Sequence, residues 1–208
     1  MSMINLQALR EAELQTDPFD FMVVPGFIAP DVLAQVNADY PAIETAANHA
    51  LDNLTYGPAF EALIQEMRAP EFATALGDRF DMELASLPTT VTVRKFCERT
   101  DGNIHTDHKS KVITVLVYFN KEWDHEDGQL RMLRSKTDIE DYAAQVTPLG
   151  GTLLAFRRTD HSWHGHTRFV GERRMVQLNY LDESPLAVAA QRISRFGTHF
   201  MKNVLRIR

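Results

Sequence analysis

From residue 88 onward the chain carries four dense runs of β-branched, aromatic and aliphatic residues: TTVTVRKF, KVITVLVYF, GTLLAF and RRMVQLNYL. Polar, glycine-containing segments separate them. Such residues fit a pleated, buried surface and such separators make turns, so each run is expected as a strand. Several short strands at this spacing close into a sandwich or a barrel. The stretch SKTDIEDYAAQVTPLGG between the second and third runs is expected as a long connection, with residues 134–147 forming a lip over a pocket.

The first third has a different texture. PFDFMVVPG suggests one short strand, Phe19 to Val24, closed by Pro25-Gly26. APDVLAQVNADYP opens with Pro-Asp and places Val32, Leu33 and Val36 at helical spacing, with Pro41 expected to end the helix. GPAFEALIQEMRAPEFATALGDRF predicts two helices broken at Pro70. Helices first and strands later predict a mainly β, α+β jelly roll with helices packed on one sheet. One domain over 1–208 is expected: a helical support with an early strand (1–87), a jelly-roll core (88–182) and a C-terminal helix (183–208).

A chain of 208 residues buries a core without staples, and the single Cys97 permits no internal disulfide. A reducing cytoplasmic setting is expected. No run reaches the ~18 continuous apolar residues of a membrane span, and no basic-then-apolar leader opens the chain, so neither membrane nor secretory role is expected. Net charge of −6 argues against a nucleic-acid partner. The charge is uneven: after Glu183 there is no acid, while Arg192, Arg195, Lys202, Arg206 and Arg208 add +5. The same segment carries apolar Ile193, Phe196, Phe200 and Leu205, which suit a homodimer contact.

Just ahead of KVITVLVYF stands HTDH. On an extended chain residues i and i+2 share a face, so His105 and Asp107 present an imidazole and a carboxylate side by side, while His108 points the other way. A third metal ligand must come from elsewhere, and HSWHGH offers His161, His164 and His166. Two histidines and one carboxylate on one face of an octahedron leave three positions open, which suits non-haem Fe(II); catalytic zinc uses similar ligands but keeps essentially one position for water. A dicarboxylate co-substrate would need a cation at its far end. Arg173 and Arg174 are both available, and a guanidinium fork pairs bidentately with a carboxylate.

Four segments in order, HTD, VLVYFNKEW, WHG and GERR, resemble the 2-oxoglutarate- and Fe(II)-dependent oxygenase superfamily, and in particular its prolyl-4-hydroxylase-like branch. The resemblance spans roughly residues 88 to 182 and extends to PFDFMVVPGFIAPDVLAQV near the N-terminus. It implies a double-stranded β-helix, with His105, Asp107 and His164 as iron ligands. Tyr118 would contact the far carboxylate of 2-oxoglutarate together with Arg173, or Arg174 if the register shifts by one. With Arg173 inward, Gln177 and Asn179 share the cavity face, while Arg174, Val176, Leu178 and Tyr180 face outward. Arg94 and Lys111 are candidates for substrate contact. The implied cofactors are Fe(II), 2-oxoglutarate and O2, with ascorbate as a stimulant. The implied reaction hydroxylates a C–H bond of a peptidyl or small-molecule substrate and releases succinate and CO2. In EDGQLRML, Gln129 stands where that branch usually has a second glycine.

Two other readings use the same ligands. A cupin-like metalloenzyme without a keto acid, or a binding module stabilised by a metal, would leave Tyr118 and the arginine pair without a task. Consumption of 2-oxoglutarate without added substrate separates them from the oxygenase.

Overall fold

The computed structural model of the chain describes residues 2–182. The helix expected over 183–208, with its basic charge and its apolar dimer contact, lies outside those residues.

Four α-helices precede most of the strands: α1 (Leu6–Glu11), α2 (Pro30–Ala38), α3 (Pro58–Met67) and α4 (Pro70–Phe80). The last three each start on a proline, whose fixed φ suits the first turn and whose missing N–H has no partner to lose there. α2 stops at Ala38, ahead of the Pro41 expected to end it. α4 stops where Asp81 takes a left-handed φ of 51°. α3 buries Phe60, Leu63, Ile64 and Met67, and α4 buries Phe72, Ala73, Leu76 and Phe80, each set a stripe at helical spacing.

The strands are β1 (Phe21–Val24), β2 (His49–Ala50), β3 (Thr89–Cys97), β4 (Lys111–Tyr118), β5 (Leu130–Leu133), β6 (Tyr142–Val146), β7 (Leu153–Arg157), β8 (His164–Gly165) and β9 (Gly171–Leu181). They form a six-stranded sheet, order β1-β7-β4-β9-β3-β2, and a three-stranded sheet, order β6-β5-β8. Every pairing between these strands is antiparallel. The four runs expected as strands are β3, β4, β7 and β9, adjacent in the larger sheet. β1 joins that sheet at its edge, beside β7.

Residues 134–147 are not simply a connection. Their second half is β6, which pairs with β5 from Leu130↔Val146 to Leu133↔Tyr142. YAAQV has little β-branched character and sits half-exposed at a sheet edge, so it carries no alternating signal.

The middle of the larger sheet, β4 and β7 above all, is buried on both faces, which is why those strands read as continuous apolar runs, while β3 towards the edge alternates. Ile113, Val115 and Val117 of β4, with Val176, Leu178 and Tyr180 of β9, pack towards the helices. Leu116 and Tyr118 of β4, with Leu154, Phe156 and Met175, pack towards the smaller sheet around Leu130 and Met132. Mostly antiparallel β with few helices, two sheets face to face and helices against the larger one make a jelly-roll-like fold. Among the described residues, no helix is long and apolar enough to cross a membrane.

Candidate metal centre

His105 and His164 meet through their backbones first. His105 N–H donates to the His164 carbonyl and His164 N–H to the His105 carbonyl, both at 3.0 Å. Residues paired this way across an antiparallel bridge carry their side chains on one face. The two rings lie 4.4 Å apart between centroids. The His105 side of this bridge belongs to no longer strand; residues 106–108 run on without a ladder, yet the i, i+2 geometry still brings Asp107 in. One ligand atom from each of His105, Asp107 and His164 lies within 4.8 Å of the others.

Each imidazole is oriented by its other nitrogen. His105 Nδ1 faces the Asn103 carbonyl and His164 Nδ1 the Ser162 carbonyl, both at 2.9 Å. A carbonyl only accepts, so Nδ1 carries the proton and Nε2 is left with its lone pair for a metal. Burial brings the His164 imidazole down to about 4, against the pull of the Asp107 carboxylate and with the help of His105, so it is neutral at pH 7. Burial alone would raise the Asp107 carboxyl. The Lys111 ammonium and His164 outweigh it, with hydrogen bonds from Lys111 and Thr114, and hold the group well below the usual carboxylate range.

The other histidines stand apart. His108 turns its Nδ1 to Ser110 Oγ at 2.8 Å, and His161 is exposed. His166 is buried with Nδ1 on the Thr167 carbonyl at 2.7 Å; burial first, then the Arg173 charge, bring it down to about 4. Among the described residues, the group of converging ligands contains only His105, Asp107 and His164.

Behind this group the inward faces of β4 and β9 run in register: Thr114↔Asn179, Leu116↔Gln177, Tyr118↔Met175. Thr114 was not singled out in the sequence. Its hydroxyl donates to Asp107 Oδ2 at 2.5 Å and lies 3.3 Å from Asn179 Oδ1. Gln177 Nε2 donates to Asn179 Oδ1 at 2.8 Å, and Asn179 Nδ2 to Thr90 Oγ1 at 3.3 Å. The signal for Thr114 was present: it is the one hydroxyl in an otherwise apolar stretch, Val112 to Val117, and strand alternation puts it on the face of Tyr118.

Arg173 points into the interior and is 3% exposed. Its Nε donates to the Gly128 carbonyl at 2.8 Å, and Nη1 lies 3.4 Å from Met175 Sδ. Among the described residues Nη2 and the Tyr118 hydroxyl have no hydrogen-bond partner, and no carboxylate pairs with Arg173. Burial raises the Tyr118 phenol, against the nearby Arg173 charge, so it stays a donor. Arg174 lies on the opposite face, bound to Glu172 at 2.6 Å and stacked over Tyr40. Lys111 reaches Asp107 at 2.7 Å. Arg94 pairs with Asp101 at 2.6 Å and Asn48 at 2.8 Å, and is not among the converging ligands. Gln129, at the departure from the glycine pattern, takes the Thr147 hydroxyl at 2.8 Å and so ties the β5 approach to the end of β6.

The donor set fits a divalent iron: two imidazole nitrogens and one ionised carboxylate, all on one side. The interior fits an anion with a carboxylate at its far end, because a buried guanidinium without a counter-ion is otherwise costly.

Residues 93–181 match the family model of the 2OG-Fe(II) oxygenase superfamily. A search of curated protein sequences finds no significant match. Among solved structures, a prolyl-4-hydroxylase from Pseudomonas putida aligns with TM-score 0.56 at 16% identity, over 88% of this chain and 96% of that one. A 2OG-Fe(II) oxygenase family oxidoreductase from Burkholderia pseudomallei aligns with TM-score 0.54 at 14% identity, over 85% and 91%. A viral collagen prolyl hydroxylase from Paramecium bursaria Chlorella virus-1 aligns with TM-score 0.52 at 14% identity, over 78% and 96%. At these identities the likeness is one of fold.

Proposed function

From the match of residues 93–181 to the 2OG-Fe(II) oxygenase superfamily and from the ligand group behind it, we propose that the chain is such an oxygenase and that it hydroxylates an unactivated C–H bond of a peptidyl or small-molecule substrate, converting 2-oxoglutarate to succinate and CO2. His105, Asp107 and His164 are the residues that would hold the iron. Bound there, Fe(II) supplies open coordination positions for the keto acid and for dioxygen, and with them the oxidising power of the reaction.

The rest falls to the chain's own side chains. Asn103 and Ser162 fix the two imidazoles through their carbonyls, and Thr114 fixes the carboxylate. Arg173 and Tyr118 bind the distal carboxylate of 2-oxoglutarate and so set the position of its keto end. Leu116, Leu154, Phe156 and Met132 wall the interior with apolar surface and exclude water. Gln177 and Asn179 line the same face, where Asn179 supports Thr114. The two sheets are read as a double-stranded β-helix with the metal between them. Two of the structures that share the fold are prolyl hydroxylases, which makes a peptidyl substrate the first to test. Cytoplasmic location and stimulation by ascorbate belong to the same proposal.

The observation that carries the reading is the pair of buried donors that have no partner among the described residues, Arg173 Nη2 and Tyr118 Oη, on the interior face that also holds Asp107. A cupin-like or merely metal-stabilised module has no use for them. The test is incubation with Fe(II), ascorbate and 2-oxoglutarate without added substrate. Succinate should accumulate and should disappear in His164→Ala; no succinate above that variant's level would overturn the proposal.

A further inference from the structure

Both oxygens of Asp107 are already engaged by the chain. Lys111 Nζ lies 2.7 Å from Oδ1, and the Thr114 hydroxyl 2.5 Å from Oδ2. The Lys111 side chain is 11% exposed and that of Asp107 is 9% exposed, so the ion pair is largely withdrawn from water. Among the described residues, no other carboxylate pairs with Lys111.

These two partners differ in charge. Thr114 is neutral and can orient the carboxylate whether or not a cation is bound. Lys111 carries the same sign as a metal, and Asp107 is the only anion among the three converging ligands. A divalent cation that joins His105, Asp107 and His164 must therefore take or share the charge that the ammonium holds. Loading leaves the ammonium with a weakened counter-ion in a place poor in water, and sets it within a few ångströms of a second cation. Both effects oppose loading. Without the metal the same 2.7 Å contact offsets the cost of burying Asp107 and holds its carboxylate beside the two imidazoles.

We infer that Lys111 is an internal cation that competes with the metal for Asp107: it holds the empty site together and sets a ceiling on metal affinity. The inference rests on the ligand assignment made under the proposed function.

The test is titration of the full-length, chelator-stripped protein with Co(II), followed by visible absorption and calorimetry, for wild type, Lys111→Met and Lys111→Arg. Lys111→Met should bind Co(II) about tenfold tighter or more. It should also melt at a lower temperature without metal and gain more from its addition. Lys111→Arg, which keeps the charge, should stay near wild type. A role in packing alone would predict weaker binding in the methionine variant. Equal or weaker affinity in a folded Lys111→Met overturns the inference while leaving the ligand assignment intact. A wild type that takes no Co(II) overturns both. If Lys111→Met does not stay folded without metal, release of Co(II) from the loaded variant to excess chelator makes the comparison: slower release than wild type supports the inference, and equal or faster release overturns it.

Discussion

The guanidinium carbon of Arg173 lies 5.3 Å from the centroid of the Tyr118 ring, and each side chain ends in a buried donor with no protein partner among the described residues. Two convergent donors of this kind are complementary to the two oxygens of one carboxylate. Arg173→Leu should therefore raise KM for 2-oxoglutarate by about 10- to 100-fold, the worth of a hydrogen-bonded charge pair of about 1.5–3 kcal/mol. Metal binding should be unchanged, because the ligands lie elsewhere. Arg173→Lys should recover only part of the loss, since an ammonium lacks the planar fork. Arg174→Leu, on the helix side of β9, should leave KM near wild type. Succinate release against 2-oxoglutarate concentration checks all three.

Tyr118→Phe separates binding from stability. The hydroxyl is buried without a partner among the described residues, so its removal relieves a desolvation cost in the ligand-free protein. The variant is expected to melt at the same temperature as wild type or higher, with a gain of up to about 1–3 kcal/mol. KM for 2-oxoglutarate should still rise, by about tenfold for the loss of one donor. Thermal melting with and without 2-oxoglutarate, beside steady-state kinetics, reads both signs; a lower melting temperature in the ligand-free variant would count against the orphaned hydroxyl.

Asp107→Ala should fail in two ways at once. It removes the only anionic ligand, and it leaves Lys111 largely buried without its carboxylate. Stripping one partner from a buried pair costs about 3–5 kcal/mol, so the metal-free variant should melt well below metal-free wild type. Wild type should gain about 2.7 kcal/mol from a divalent metal at 100 times its Kd, whereas the variant should gain little. Melting curves with and without Co(II) or Mn(II) give both numbers.

Parts of this site were legible in the residues, for physical reasons. His105 and Asp107 could be placed together because the i, i+2 relation holds on any extended chain, even where, as here, no ladder continues past the bridge. The choice of Arg173 over Arg174 leaned on the Gly-Glu-Arg context, with alternation in support: Val176, Leu178 and Tyr180 pack towards the helices, and Arg173 falls on the other face. Choosing His164 over His161 and His166 needed the Trp-His-Gly context, because spacing alone allows all three. What stayed hidden depends on contacts between distant segments. The grip of Lys111 and Thr114 on Asp107 is set by how a loop folds back on the start of β4. β5 and β6 are only four and five residues long, LRML and YAAQV, so their pairing has no periodic signature. The lone donors at Arg173 and Tyr118 are defined by what fails to surround them.

Gly128 links the β4–β5 connection to Arg173, the proposed anchor of the co-substrate. Its φ is +77°, a conformation that side chains resist, and a Cβ there would stand 2.9 Å from both Phe169 and Trp123. Trp123 and Phe169 pack ring to ring at 4.7 Å, so neither can yield without disturbing the other. The Gly128 carbonyl also takes the Arg173 Nε hydrogen at 2.8 Å, which sets where the guanidinium points. Gly128→Ala should therefore act beyond its own turn. Backbone strain should cost about 1–3 kcal/mol of stability. The displaced carbonyl should loosen Arg173 and raise KM for 2-oxoglutarate, while Co(II) affinity at His105, Asp107 and His164 stays within about twofold of wild type, as expected for distant, independent sites. Denaturant melts, Co(II) titration and 2-oxoglutarate kinetics on this variant would show whether the turn governs the arginine. A change in metal affinity without a change in KM would show that it does not.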